Sequence, residues 1–353
     1  MIYLDYQATT PLAPEAFDAM VPWLRDKFAN PHSAHRLGRE AAAAVEVARE
    51  QVAALMPGGG RVIFTSGATE ALNIAIRGAA LRMRARDARR VRVVTVETEH
   101  AAGRDTVQAL AGDGFEPVLL PVGADGLLDP ETVAAEVDER TALLSVMLVN
   151  NEIGVIQPVE ALAGISHRSG ALFLCDAVQG FGRIDLPPSA GLIAVSGHKI
   201  HGPKGVGAMW LRDGLDLPPP IHGGGQEEGL RSGTLSPALC VGMGTAAQLM
   251  AERREADATH IETLWTRARV LLGDWTLNGS AEARYHGNLN LRRVGLDAAR
   301  LMSECRDVAF SLGSACASGS GRPSHVLRAL GLSDREARTS IRLGFGRYTN
   351  GEE

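Results

Sequence analysis

From about residue 60 the chain alternates short, β-branched apolar runs with longer Ala/Leu-rich stretches, the pattern of repeated βα units around a mostly parallel sheet. The runs Arg61 to Thr65, Val91 to Glu97, Phe115 to Val122, Ala142 to Val149, Ala171 to Cys175, Leu192 to Ser196 and Val206 to Leu211 predict seven strands. Helices are expected at Ala68 to Arg86, Gly103 to Ala111, Pro130 to Val137 and Val159 to His167. Ala238 to Leu272, with the charged run Glu252 to Asp257, reads as a long helix or helix pair leaving the sheet. A second unit follows, with strands at His286 to Leu291, Val308 to Leu312 and Ser340 to Leu343 and a helix at Ser324 to Ala329. Ligands of open parallel sheets bind beyond the carboxyl ends of the strands. The residues there are polar: Ser66-Gly67-Ala68-Thr69, Glu99-His100, Asn150-Asn151-Glu152, Asp176 with Gln179, and Ser196-Gly197-His198-Lys199. Any one of these is explained by a turn or a helix cap; five together suggest a site.

Composition narrows the class. The 353 residues, 45% hydrophobic and 22% charged, suit a globular chain of about two domains. Thirty-six Lys and Arg against 41 Asp and Glu give a net charge of -5, which favours neither nucleic acid nor a membrane surface. No apolar run approaches the ~20 residues that span a bilayer. The opening MIYLDYQATTPLAPE has no signal-peptide character, so a cytoplasmic protein is expected. Four cysteines, Cys175, Cys240, Cys305 and Cys316, form neither CxxC pairs nor zinc-ligand spacings with histidine, and no metal is expected.

The turn Thr65 to Glu70 ends a strand and opens a helix, so backbone N–H groups and hydroxyls converge as a phosphate cradle. It is not a Walker loop, since no GxxxxGK[ST] occurs. A lysine on the neighbouring turn, Lys199, and an aspartate at the end of another strand, Asp176, match what pyridoxal phosphate requires: an amine for a Schiff base and a carboxylate for the pyridinium nitrogen. His222-Gly223-Gly224-Gly225 and Ser196 to Lys199 formally fit serine acyl-hydrolase motifs, but GxSxG, Ser-Asp-Asn and Lys-Thr-Gly are all missing. Cys316 lies in the small-residue stretch Ser311 to Gly319, which reads as an exposed loop. Residues alone leave it open between a nucleophile and a plain surface thiol. Cys175 and Cys240, in apolar runs, read as buried filler.

With these residues in view, the sequence resembles the NifS/IscS-like cysteine desulfurases of the class V aminotransferase group. Matching stretches run almost end to end: Tyr3 to Asp5, Ala8 to Pro11, Asn30-Pro31 to His35, Phe64 to Glu70, Thr98 to His100, Asn150 to Pro158, Asp176 to Gln179, Ser196 to Gly207, Gly223 to Thr234, Gly313 to Cys316, Pro323 to Leu327 and Ser340 to Arg342. The GSAC form of the cysteine segment is similar to the group with a longer catalytic loop. The resemblance implies an α/β protein of fold type I: a large domain, residues 15–250, with a mostly parallel seven-stranded sheet, and a small α+β domain, residues 1–14 and 251–353. It implies pyridoxal 5'-phosphate bonded to Lys199, Asp176 at the ring nitrogen, Gln179 at the ring hydroxyl and His100 over the ring face. Phosphate is expected at Ala68, Thr69, Ser196 and His198, and at Thr234 from a second subunit of a homodimer. Asn151 and Arg342, helped by Asn30, would take the carboxylate of L-cysteine. Cys316 would accept the sulfur as a persulfide and pass it to an acceptor protein or iron–sulfur scaffold. Two other readings remain: a related lyase or aminotransferase acting on another amino acid, and a non-catalytic dimeric scaffold in sulfur trafficking.

Overall fold

The computed structural model describes residues 1–313 and 323–353. Strand β1 (Ile2–Tyr3) is followed by seven strands that form one sheet: β2 (Gly60–Thr65), β3 (Arg92–Val96), β4 (Glu116–Leu120), β5 (Thr141–Met147), β6 (Leu172–Asp176), β7 (Leu192–Ser196) and β8 (Gly207–Arg212). Their order is β2-β8-β7-β6-β5-β3-β4. Only β8 runs against its neighbours; the remaining pairings are parallel. All seven expected strands are present, each within a few residues of its expected span. They were legible because both faces of the sheet are covered, which makes each strand an uninterrupted apolar run. Val62, Phe64, Val146, Phe173 and Cys175 face one core, shared with helices Pro14–Arg25, Arg36–Ala53 and Val159–Arg168. Ile63, Leu143, Leu174 and Met209, on the alternate positions, face a second core under helix Ala68–Arg86.

The segment expected as a helix or helix pair is one 35-residue helix, Pro237–Leu271, capped by Ser236, whose hydroxyl accepts from the Leu239 N–H. Its first half is small and apolar, and Gly244 lets it press onto Ala48, where an added Cβ would come within 2.6 Å of the Ala48 Cα. Its second half sends Leu264 and Trp265 into a separate core with Leu289, Leu291 and Phe345. That core lies on a second, antiparallel sheet made of β9 (Thr276–Leu277), β10 (Asn288–Arg292), β12 (Ser311–Leu312) and β13 (Ser340–Gly344), in the order β12-β13-β10-β9. The N-terminal β1 crosses over to pair in parallel with β11 (Val308–Ala309). The expected run Val308 to Leu312 is therefore two short strands in different sheets, split at Phe310. Cys316 and most of the small-residue stretch around it lie outside the described residues.

Candidate active site

Strands β4 and β5 lie on opposite sides of β3, so the connections diverge there and open a crevice at the carboxyl edge of the sheet. A cavity of about 570 Å³ occupies that edge, within the range that holds a cofactor-sized ligand. Ten of the residues singled out from the sequence line it: Ala68, Thr69, His100, Asn151, Asp176, Gln179, Ser196, His198, Lys199 and Arg342. Asn30 and Thr234 do not. Asn30 sits on an exposed loop, its Oδ1 accepting from the His32 N–H at 2.8 Å, and Thr234 is exposed on the segment before the long helix. Cys316 falls outside the described residues.

At one end of the cavity helix Ala68–Arg86 begins without any side-chain cap, because Gly67 occupies the N-cap. Its first amides therefore face the cavity as the anion-binding end of a 19-residue helix. Close packing fixes this turn: a Cβ on Gly207 would lie 2.7 Å from both the Cα and the carbonyl carbon of Gly67. Glu70 takes the Ser66 N–H at 2.5 Å and is paired in turn with Arg231 at 2.9 Å, so that amide is already used within the protein. Ser196 and His198 close the same end. Burial, then Lys199 and Lys204, push His198 down to about 4, so its ring is neutral near pH 7.

Lys199 follows the β7 turn and its Nζ donates to the carbonyls of Gln7 and, at 2.8 Å, Ala8. The N-terminal segment holds the lysine turn at two further points: Thr10 Oγ1 donates to the His198 carbonyl at 2.9 Å, and Thr9 Oγ1 lies 3.1 Å from His198 Nδ1. No side-chain chemistry marks Gln7 and Ala8 in the sequence, since they act through backbone oxygens. Asp176 ends β6, is buried, and accepts from the Val178 N–H at 3.0 Å. Burial raises its carboxyl above the ordinary range, while the Val178 amide and Lys199 act in the opposite direction. Gln179 Nε2 donates to the Gln7 carbonyl at 2.9 Å.

His100 caps helix Ala101–Ala109, its Nδ1 accepting from the Ala102 N–H at 3.1 Å. The helix thus starts two residues before its expected beginning. With Nδ1 as acceptor, the ring proton sits on Nε2, and burial with the nearby Lys199 and His325 charges lowers its pKa. The motif Asn150-Asn151-Glu152 is a tight turn: Asn150 Oδ1 accepts from the Glu152 and Ile153 amides. It also docks the second sheet. Asn288 and Asn290 of β10 donate to the Asn151 and Glu152 carbonyls, and Arg342 Nη1 of β13 donates to the Asn151 carbonyl at 3.0 Å. Arg342, 1% exposed, is paired through Nη2 with Asp5 at 2.7 Å, while its Nε has no partner among the described residues. The arginine read as a substrate clamp is therefore also a tie within the fold.

Cys175 and Cys240 are buried, as expected of filler; burial pushes the Cys240 thiol up to about 12 and raises Cys175 as well. Among the described residues no group of three or more His, Cys, Asp or Glu side chains is placed to hold a metal, and no helix is long and apolar enough to cross a membrane.

A lysine, a buried strand-end carboxylate and an uncapped helix end around one cavity at the sheet's carboxyl edge form the arrangement of a fold-type I enzyme. The model of the class V aminotransferases matches residues 2–353, and the chain belongs to that family. Within it the chain falls among the cysteine desulfurases: it is 42% identical over 363 aligned positions to the cysteine desulfurase IscS of Rickettsia rickettsii, covering 100% of this chain and 88% of that one. IscS of Rickettsia bellii matches with the same identity and coverage. Among solved structures, a NifS-like protein superposes with a TM-score of 0.90 at 32% identity, covering 99% of this chain and 95% of that one. SspA in complex with cysteine gives 0.88 at 33%, covering 99% and 100%.

Proposed function

We propose that this protein is a pyridoxal 5'-phosphate-dependent cysteine desulfurase that converts L-cysteine to L-alanine and leaves the sulfur as a persulfide on Cys316. The observation that carries the reading is the convergence of Lys199, Asp176, Gln179 and His100 on one cavity beside an uncapped helix N-terminus. The residues fit the cofactor. Ala68, Thr69, Ser196 and His198 would hold its phosphate, Asp176 its ring nitrogen, Gln179 its ring hydroxyl and Lys199 its aldehyde carbon. Once bound, the cofactor supplies an electron sink for the substrate α-carbon.

Within that arrangement Lys199 Nζ, once neutral, moves the α-proton. His100, neutral with its proton on Nε2, covers the ring face and can donate or accept at that nitrogen. Asn151 and Arg342, both lining the cavity, take the substrate carboxylate; Asn30 is assigned a supporting part. The Cys316 thiolate attacks the substrate sulfur, the carbon–sulfur bond breaks, and the carbon receives a proton to give alanine, so thiol and cysteine become persulfide and alanine.

The working unit is proposed to be a homodimer in the cytoplasm, each chain divided into a large domain of residues 15–250 and a small domain of residues 1–14 and 251–353. Thr234, exposed and away from its own cavity, is assigned to the second subunit's phosphate. Phe17, Leu24 and Phe28 on and after helix Pro14–Arg25 are 51%, 62% and 82% exposed, apolar surface suited to a second copy. The persulfide passes to an acceptor protein or iron–sulfur scaffold.

Purified protein given L-cysteine and a reductant should release sulfide and alanine in equal amounts. Cys316→Ala should stop sulfide release while keeping the visible absorbance of bound cofactor, and Lys199→Ala should lose both. A coloured wild-type protein that releases no sulfide would reject cysteine as the substrate.

A further inference from the structure

Glu99 has no part in the chemistry above, yet it is one of the most completely buried acids in the protein, at 0% exposure. Its Oε1 accepts from the Met147 N–H at 2.5 Å, and Met147 is the register partner of Asp176 across β5 and β6. Its Oε2 has no hydrogen-bond partner among the described residues and lies against the bare backbone of Gly103, where an added Cβ would come within 3.3 Å. Glu99 follows β3 and Asp176 ends β6, so two buried carboxyl groups flank the end of the intervening β5 at Met147, which lines the cavity. An ionised carboxylate with an orphaned oxygen is strongly disfavoured in such a place. Two carboxyls that share a buried site retain a proton between them.

The surroundings decide which one carries it. Asp176 faces the Val178 amide and Lys199, and both favour its charged form. Glu99 faces the Asp176 charge, the buried Cys175 thiol and backbone amides at Met147 and His100. Burial biases the nearest imidazoles toward their neutral forms: His325 Nε2 sits 2.8 Å from the Glu99 carbonyl oxygen, and burial lowers the pKa of both His325 and His100.

We propose that Glu99 is the proton-carrying half of a buried carboxyl pair, a positioning residue that lets Asp176 remain the carboxylate facing the cavity. If Glu99 were ionised, its charge would drive the proton onto Asp176 and remove the group assigned to the cofactor's ring nitrogen. That consequence rests on the function proposed above. The pair itself is tested on apoprotein, so failure of the cofactor assignment and failure of the pair appear in different experiments.

Urea unfolding of apo wild type and Glu99→Gln is compared from pH 5.5 to 7.5. The amide mimics the protonated acid, so the ratio of their unfolding constants should shift in favour of the variant by up to about tenfold per pH unit. In an Asp176→Asn background the same shift should level off at lower pH, because the opposing charge is gone. A ratio that stays flat in the first comparison, or an identical pH course in the second, would overturn the pair. Should Glu99→Gln fail to fold, the infrared spectrum of apo wild type at pH 8 decides: a protonated-carboxyl carbonyl band supports the pair, and its absence refutes it.

Discussion

Glu227 offers the most quantitative test of how the fold holds the cavity in shape. Its side chain, 2% exposed, receives Arg49 Nη1 and Nη2, each at 2.8 Å, and the Phe64 N–H at 2.5 Å. It does so from a left-handed backbone conformation, φ 50°, that a glutamate rarely adopts. Breaking a buried pair by removing one partner costs about 3–5 kcal/mol. Glu227→Ala should fall near the lower end, about 3 kcal/mol, because Arg49 keeps the Val62 carbonyl and the exposed Glu46. Adding Arg49→Met removes the uncompensated cation, so the double variant should recover at least about 1 kcal/mol relative to the sum of the single changes. The Phe64 amide, left without its acceptor, prevents full recovery. Urea unfolding of the apoprotein at one fixed protein concentration, followed by far-ultraviolet circular dichroism, gives the three differences. A cost below about 1 kcal/mol for Glu227→Ala, or strict additivity, would refute the reasoning.

Two further changes probe the site. Gly207→Ala forces a methyl onto backbone atoms of Gly67, 2.7 Å away, and should raise the dissociation constant for pyridoxal phosphate at least about tenfold with circular dichroism unchanged; equal binding would show that the Gly67 turn has slack. Glu152, 2% exposed, has its carboxyl pushed from 4.5 up to about 7, chiefly by burial, against the opposing Ser324 hydrogen bond and Arg342 charge. A raised folded pKa gives stability that is present below pH 4.5 and lost as pH rises through 7. Glu152→Gln should therefore gain on wild type by about 3 kcal/mol over that window, at about 1.36 kcal/mol per unit, and by no more above it. A gap independent of pH would contradict this.

How much could be read in advance depended on the kind of contact. Strands such as Thr141–Met147, buried on both faces, carry their burial in composition, so the large sheet was legible. The uncapped start of helix Ala68–Arg86 was legible because Gly67, between a strand and a helix, offers no side chain to cap the first amides. The split of Val308 to Leu312 was not, since the two halves pair with different strands, one of them near residue 2. Nor was the ion pair of Arg342, whose acid partner Asp5 lies 337 positions away.

The sequence by itself therefore determined the local patterns: apolar periodicity, strand-end polar residues, turn glycines, and with them the large sheet, the candidate lysine and its carboxylate. Tertiary structure alone decided which backbone oxygens hold Lys199, that Asp5 ties Arg342, and that Glu99 is buried against Met147, the strand partner of Asp176. Those contacts join residues distant in the chain through main-chain groups or shared burial, and neither leaves a mark on residue type or spacing.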